Sequence, residues 1–226
     1  MHGTGEKIFA TAQHEALAYI RERILGGEYP GGMRINSNEI AASLSCSRIP
    51  VREALRQLEA EGFVTMQPNR GASVAVLTPE AVADLFAIRC SLELIALEAG
   101  FPKFNDATIA ELVVLKERMD RSSENRVQWL EHHDRFHQFI ARVSGRDQLC
   151  KELERIHRAV RPYLVLYNKY SPHAEIPQYN HQMIVNVIKT NNKEQALIVM
   201  REHLEGVVSN IVEFLRGRTV SLIPNP

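Results

Sequence analysis

Four histidines are the residues of this chain best suited to chemistry. The string HHDRFH, residues 132–137, sets His133 and His137 four positions apart, so on a helix both rings leave the same face. His181 in YNHQMI and His203 in MREHLEGV stand on later segments with helical patterning. Neutral imidazole is the commonest nitrogen ligand for zinc and similar ions. Taken singly, each histidine reads first as an ordinary polar residue, and the remaining five are read that way.

A second constellation is SCSRIPVREALRQLEAEGF, residues 45–63. Val51, Leu55 and Leu58 fall at helical spacing and give a face to bury. Arg48, Arg52 and Arg56 recur every four residues on another face, and Ser47 stands where a hydroxyl can cap the helix start. A row of guanidinium groups suits phosphate oxygens and guanine edges in a major groove. Glu53, Glu59 and Glu61 also permit a plainer reading, a solvated mixed-charge face. The flanks decide between the two.

Upstream, NEIAASL (38–44) is a short helix with Ile40, Ala41 and Leu44 on one face, joined to the arginine helix by a tight turn at Ser45–Cys46. That is the helix-turn-helix pattern. An earlier helix carries Leu17, Ile20, Ile24 and Leu25 and stops at Gly26–Gly27. Downstream, FVTMQ (63–67) and ASVAVL (72–77) read as two strands around the turn PNRG, whose tip sets Arg70 beside Gly71. Three helices and a hairpin make a winged helix over residues 10–77, with the helix-turn-helix at about 37–57 and the wing at about 63–77.

At 226 residues the chain has room for a second domain. Thr78-Pro79-Glu80 marks a helix start. Helices are predicted over 80–100, 106–121, 125–144, 147–169, 177–190 and 192–216, with Pro162 kinking or splitting one of them. The expected architecture is mainly α: a winged helix-turn-helix and an antiparallel all-helical bundle over 78–216, then a loosely ordered tail, 217–226. Such bundles can house ligand and metal sites between facing helices. The formal net charge is zero, so DNA binding must rest on a local arginine patch. Three unpatterned cysteines without a CxxC point to a reducing cytoplasm. Neither a signal peptide nor an apolar run approaching a bilayer span is present in the sequence, so no membrane partner is expected.

Residues 14–77 resemble the winged-helix domain of GntR-type transcription regulators, through IRERILGGEYPGGMRI, EIAASLSCSRIPVREALRQLEAEGFV and NRGASV. The resemblance implies DNA contacts at Ser47, Arg48, Arg52 and Gly71; Arg56, Arg70 and Asn38 join them as candidates. Ser37 and Asn38 depart from the Arg or Glu common in the short helix of the family, which implies a different operator sequence. Residues 80–215 resemble the FCD domain of the FadR subfamily, through IRCSLELIALEAG, HHDRFHQFIARVSGRDQL and NHQMIVNVIKTNNKEQALIVMREHL. In metal-binding members one Asp and three His hold a divalent ion. The three His map to His137, His181 and His203, while the place of the Asp, four residues before the first His, is taken by His133. His133 is therefore the expected fourth ligand, with Asp134 as fallback or as a partner that orients a ring. An all-histidine set favours zinc, nickel or copper over harder ions, zinc being the preferred reading. Arg89 matches an Arg of the family and is a candidate to hold a carboxylate or sugar-acid effector; a pair with Glu93, four residues on, is the equal alternative. The implied function is a ligand-controlled regulator, a repressor by preference, binding a palindromic duplex operator as a homodimer. A metal-dependent enzyme acting on a small acid is the other reading.

Overall fold

The computed structural model describes residues 3–67, 71–76, 78–170 and 178–222. The chain divides between Thr78 and Pro79 into two compact units, the second running to Arg216.

In the first unit, α1 (Gly3–Gly26), α2 (Ser37–Ser43) and α3 (Arg48–Ala60) accompany a three-stranded antiparallel sheet. Its strands are β1 (Arg34–Ile35), β2 (Val64–Gln67) and β3 (Gly71–Val74), in the order β1-β3-β2. Helix α1 packs on α3, and the apolar positions read from the sequence, among them Ile20, Val51, Leu55 and Leu58, are buried. Each such aliphatic side chain contributes about 1.5–3 kcal/mol by leaving water. Asn36 caps α2, its Oδ1 accepting the Asn38 N–H at 3.0 Å. The turn between α2 and α3 closes through Ser45, at φ 50°, and a bond from the Cys46 N–H to the Ala41 carbonyl at 3.0 Å. Strand β1 is not foreseen from the sequence. At two residues it is too short to show a period, yet it pairs Arg34 with Ser73 and Ile35 with Ala72.

One expectation is corrected here. Ser47 is the N-cap residue of α3, but its side chain makes no capping hydrogen bond. A capping hydroxyl takes the N–H of the second or third helical residue. The third is Pro50, which has no N–H, so half of the demand is absent.

The second unit holds α4 (Pro79–Gly100), a single 3-10 turn (Phe101–Lys103), α5 (Asp106–Arg121), α6 (Arg126–Val143), α7 (Asp147–Tyr170), α8 (Gln178–Lys189) and, as far as Arg216, α9 (Lys193–Leu222). Asparagines set the starts. Asn105 forms a reciprocal capping box with Thr108, and the side chains of Asn125 and Asn192 accept N–H bonds from Gln128 and Gln195. The core gathers Leu97, Leu112, Phe136, Ile140, Ile184 and Met200 from five of these helices. Gly100 is required by close approach: a Cβ there would lie 2.9 Å from the Ser144 backbone nitrogen. Two further corrections belong to this unit. Of the kink or split expected at Pro162, the split does not occur, for α7 is continuous to Tyr170; a proline withdraws one ladder bond and the flanking turns carry the helix on. The segment after Arg216, expected as loose tail, continues α9 to Leu222 across Gly217, since no proline follows before Ile223 to stop it; residues 223–226 lie outside the described residues. Among the described residues no helix is long and apolar enough to cross a membrane.

Candidate metal centre and nucleic-acid interface

Helix α6 contributes His133 and His137, α8 His181 and α9 His203, and the bundle brings all four together. One ring nitrogen from each lies within 4.8 Å of the others, and every ring is at most 3% exposed. Ring centroids of His181 and His203 are 4.3 Å apart, those of His133 and His137 4.5 Å. Trp129, one turn before His133, stacks on its ring at 5.1 Å.

Burial pushes the basicity of all four down. The His137 ring falls to about 3, burial outweighing the nearby Glu93 carboxylate. His181 and His203 fall well below the ordinary value, through burial and then the mutual repulsion of the clustered rings. The rings are therefore neutral at pH 7, the form in which a nitrogen can ligate. Both nitrogens of His181, both of His203 and Nε2 of His137 are buried without a hydrogen-bond partner among the described residues. Orphaned buried polar atoms cost about 1–3 kcal/mol each and call for an unseen partner. A tetrahedral zinc with Zn–N bonds of about 2.0–2.1 Å sets its ligands roughly 3.3 Å apart. Small ring movements bring a 4.8 Å spread to that range. The donor set fits a divalent ion of borderline softness.

The surroundings of the cluster were only partly foreseen. Glu93 of α4, 3% exposed, accepts Nδ1–H of His137 at 2.7 Å, Nε of Arg89 at 2.6 Å and Nε2–H of His157 at 3.0 Å. Burial pushes its carboxyl upward, but the adjoining His137 ring, the Arg89 guanidinium and the N–H donors of His137 and His157 hold it well below the usual carboxylate range. By taking Nδ1–H, Glu93 fixes the His137 tautomer that turns the Nε2 lone pair to the cluster. The pair Arg89–Glu93, one of the two readings of the sequence, thus forms, with Arg89 2% exposed. His157, read as an ordinary polar residue, is instead a buried member of this network. Asp134 stands outside the histidine cluster: it pairs with Arg161 at 2.5 Å, and its Oδ1 is 3.5 Å from His133 Nδ1, long for a hydrogen bond. It lies off the face that carries His133 and His137, because one step along the helix turns a side chain by about 100°. The signal for Glu93 lay in α4 itself, where Arg89 and Glu93 occupy core spacing among Phe86, Cys90 and Leu97. Beside the cluster is a small pocket lined by Trp129, Tyr167, Asn168 and Asn210 together with His133, His181 and His203.

In the first unit, the outer face of α3 carries Ser47, Arg48, Arg52 and Arg56, all exposed. The nearby acids are already engaged. Glu53 pairs with Arg56 at 2.9 Å, Glu59 accepts the Met66 N–H at 2.9 Å, and Glu61 pairs with Arg21. Arg48 reaches Asn38 of α2, Nη1 to Oδ1 at 3.3 Å. Arg52 is exposed and makes no hydrogen bond or ion pair with a described residue. With the Ser47 hydroxyl unspent, that hydroxyl and the N–H groups of Arg48 and Ile49 at the start of α3 suit a phosphate, although Pro50 supplies no N–H of its own. Gly71 has φ +81°, a conformation that side chains resist, and the Arg34 guanidinium from β1 lies 3.9 Å from where its Cβ would be. Arg34 was missed with its strand. Arg70 lies outside the described residues.

Comparison with known proteins follows the two units. Residues 12–74 match the family of bacterial regulatory proteins, gntR family, and residues 84–206 match the FCD domain. An uncharacterized HTH-type transcriptional regulator in an unstable DNA locus of Streptomyces ambofaciens is 30% identical over 94% of this chain and 89% of its own length. The gluconate operon transcriptional repressor of Bacillus subtilis is 27% identical over 81% of this chain and 77% of its own. Among solved structures, E. coli McbR/YncC aligns with a TM-score of 0.66 at 22% identity, covering 90% of this chain and 98% of that one, which shows the fold.

Proposed function

Since the chain belongs to the GntR family and carries an FCD domain, and is thus a transcription regulator rather than an enzyme, we propose that its DNA binding is controlled by a small organic or sugar acid bound beside a divalent ion, zinc by preference. The observation that carries this reading is the buried cluster of His133, His137, His181 and His203 with its unpartnered ring nitrogens. These four residues would hold the ion, and the bound ion would supply a positive anchor for a carboxylate. Glu93 orients His137. Arg89, tied to Glu93, lends its charge to the same region, while Asn168, Asn210 and Tyr167 offer hydrogen bonds to the rest of the acid. Ser47, Arg48, Arg52, Arg56, Asn38, Arg70 and Gly71 contact duplex DNA, Arg48 and Arg52 reading bases. A repressor is favoured by the name of the gluconate operon relative.

The regulator works in the cytoplasm as a homodimer on a palindromic operator, because one recognition helix reads too few base pairs. Helix α4 supports the dimer. Its inner face buries Val82, Phe86 and Leu97, while its outer face exposes Ala83, Ala87, Ile88 and Ile95 among the polar Asp84, Ser91 and Glu98. Exposed apolar side chains rimmed by polar ones suit a protein–protein contact. Beside it on α9, Arg201 and Glu205 are exposed and four residues apart, so a two-fold antiparallel contact sets each against its opposite in the partner.

The test is metal analysis of tag-free protein, followed by thermal shift against small acids with and without chelator and by DNA mobility shift. One divalent ion per chain, with acid effects that vanish on chelation, is the expected result. A stoichiometry near zero, with acid binding indifferent to chelator, refutes the metal reading.

A further inference from the structure

Ile49, the second residue of α3, is 62% exposed, the most exposed large apolar side chain among the described residues. It does not belong to the inner face of the helix, where Pro50, Val51, Ala54, Leu55 and Leu58 are buried. At positions i, i+3 and i+7 it shares a stripe with Arg52 and Arg56, and it follows Ser47 and Arg48. The helix thus carries one bare hydrocarbon among its cations at the end that meets DNA, on the reading that α3 enters the major groove.

We propose that Ile49 reads the C5-methyl of a thymine in each half-site. The major-groove edges offer hydrogen-bond donors and acceptors at every base pair, and the thymine methyl is their one apolar group. An isoleucine satisfies none of the polar atoms, so against guanine or cytosine it removes water from them and returns nothing. Against thymine it covers a methyl that is otherwise wet. Its β-branched side chain is held largely in one rotamer on a helix, so the hydrocarbon is presented in a fixed place. Ile49 is then a specificity residue that works beside the charge of Arg48 and Arg52 and adds no charge of its own.

The experiment uses the full-length protein and a duplex operator obtained by in vitro selection from random DNA. Each thymine of the half-site is replaced in turn by deoxyuridine, which lacks only the methyl. At one symmetry-related pair of positions the wild type should lose about fourfold in affinity per half-site, the worth of one buried methyl group. Ile49→Ala should bind more weakly and lose that deoxyuridine effect alone, while Ile49→Val keeps it. Indifference of the wild type to every deoxyuridine, or an undiminished effect in Ile49→Ala, overturns the proposal. Selection that enriches no duplex at all overturns the docking of α3 itself, a distinct failure.

Discussion

Replacing Glu93 by Gln tests the centre of the second unit. Glu93 accepts three donors on two oxygens, with Oε1 serving Arg89 and His157 and Oε2 serving His137. Glutamine keeps the shape but has one acceptor oxygen and one NH2. If its oxygen keeps Arg89 and His157, the NH2 faces His137 Nδ1, which must then accept. His137 answers by moving its proton to Nε2, the nitrogen turned to the cluster, and the lone pair available to an ion is lost. Removing such an orienting partner typically costs 10–100-fold in metal affinity, or about 1.4–2.7 kcal/mol at 1.36 kcal/mol per decade. The metal-free protein suffers separately. Arg89, 2% exposed, loses its counter-charge, and breaking a buried pair costs roughly 3–5 kcal/mol; the retained amide hydrogen bond places Glu93→Gln toward the low end. Competition against a chromophoric chelator reads the first quantity, and urea unfolding in excess chelator reads the second. Metal affinity within twofold of wild type, with an unchanged urea midpoint, would refute the reasoning.

Other outcomes can be checked alongside. Arg52→Ala should weaken specific DNA binding by about 1–3 kcal/mol if Arg52 reads a base edge; Arg56→Ala should cost less, since Arg56 already pairs with Glu53, and equal losses in a mobility shift would count against this division. The stability of the metal-free protein should fall with acid: the folded pKa of His137 is about 3, below an unfolded value near 6.5, so the unfolded chain takes up its proton first. Stability is then full above about pH 6.5 and declines toward pH 3, by up to about 5 kcal/mol from His137 alone, and a flat urea midpoint between pH 7.5 and 4 contradicts it. Ile88→Asp on the outer face of α4 should give a folded monomer in sedimentation, and a persistent dimer would place the interface elsewhere.

The helices of both units were legible because their signals are local. Gly62, Gly100 and the periodic apolar residues place most boundaries within a few residues of their observed positions, the exceptions being the start of α1 at Gly3 and the end of α9 at Leu222. The convergence of the four histidines was legible only through resemblance, since no spacing along the chain tells that α6, α8 and α9 meet. Glu93 and His157 escaped because buried charge is recognised by its surroundings, and these come from other helices. Strand β1 and Arg34 escaped for a different reason: two residues carry no period, and their pairing with β3 is nonlocal. The cap expected at Ser47 fails because Pro50 removes an N–H that the serine alone does not reveal.

On the proposed docking of α3 in the groove, that proline bears on kinetics and fidelity as well. Helix ends ordinarily fray, and a frayed reading end can yield to a wrong sequence by moving its backbone. Pro50 is buried in its unit, and its ring fixes φ before any DNA is met. The disorder that the start of α3 could have retained is removed at folding, partly in the unfolded chain itself. Less freedom then remains to be frozen at encounter, and what a preformed binder gains in this way appears as affinity. A mismatched operator meets a rigid edge instead of a compliant one. It must leave contacts unmade, and the complex dissociates sooner.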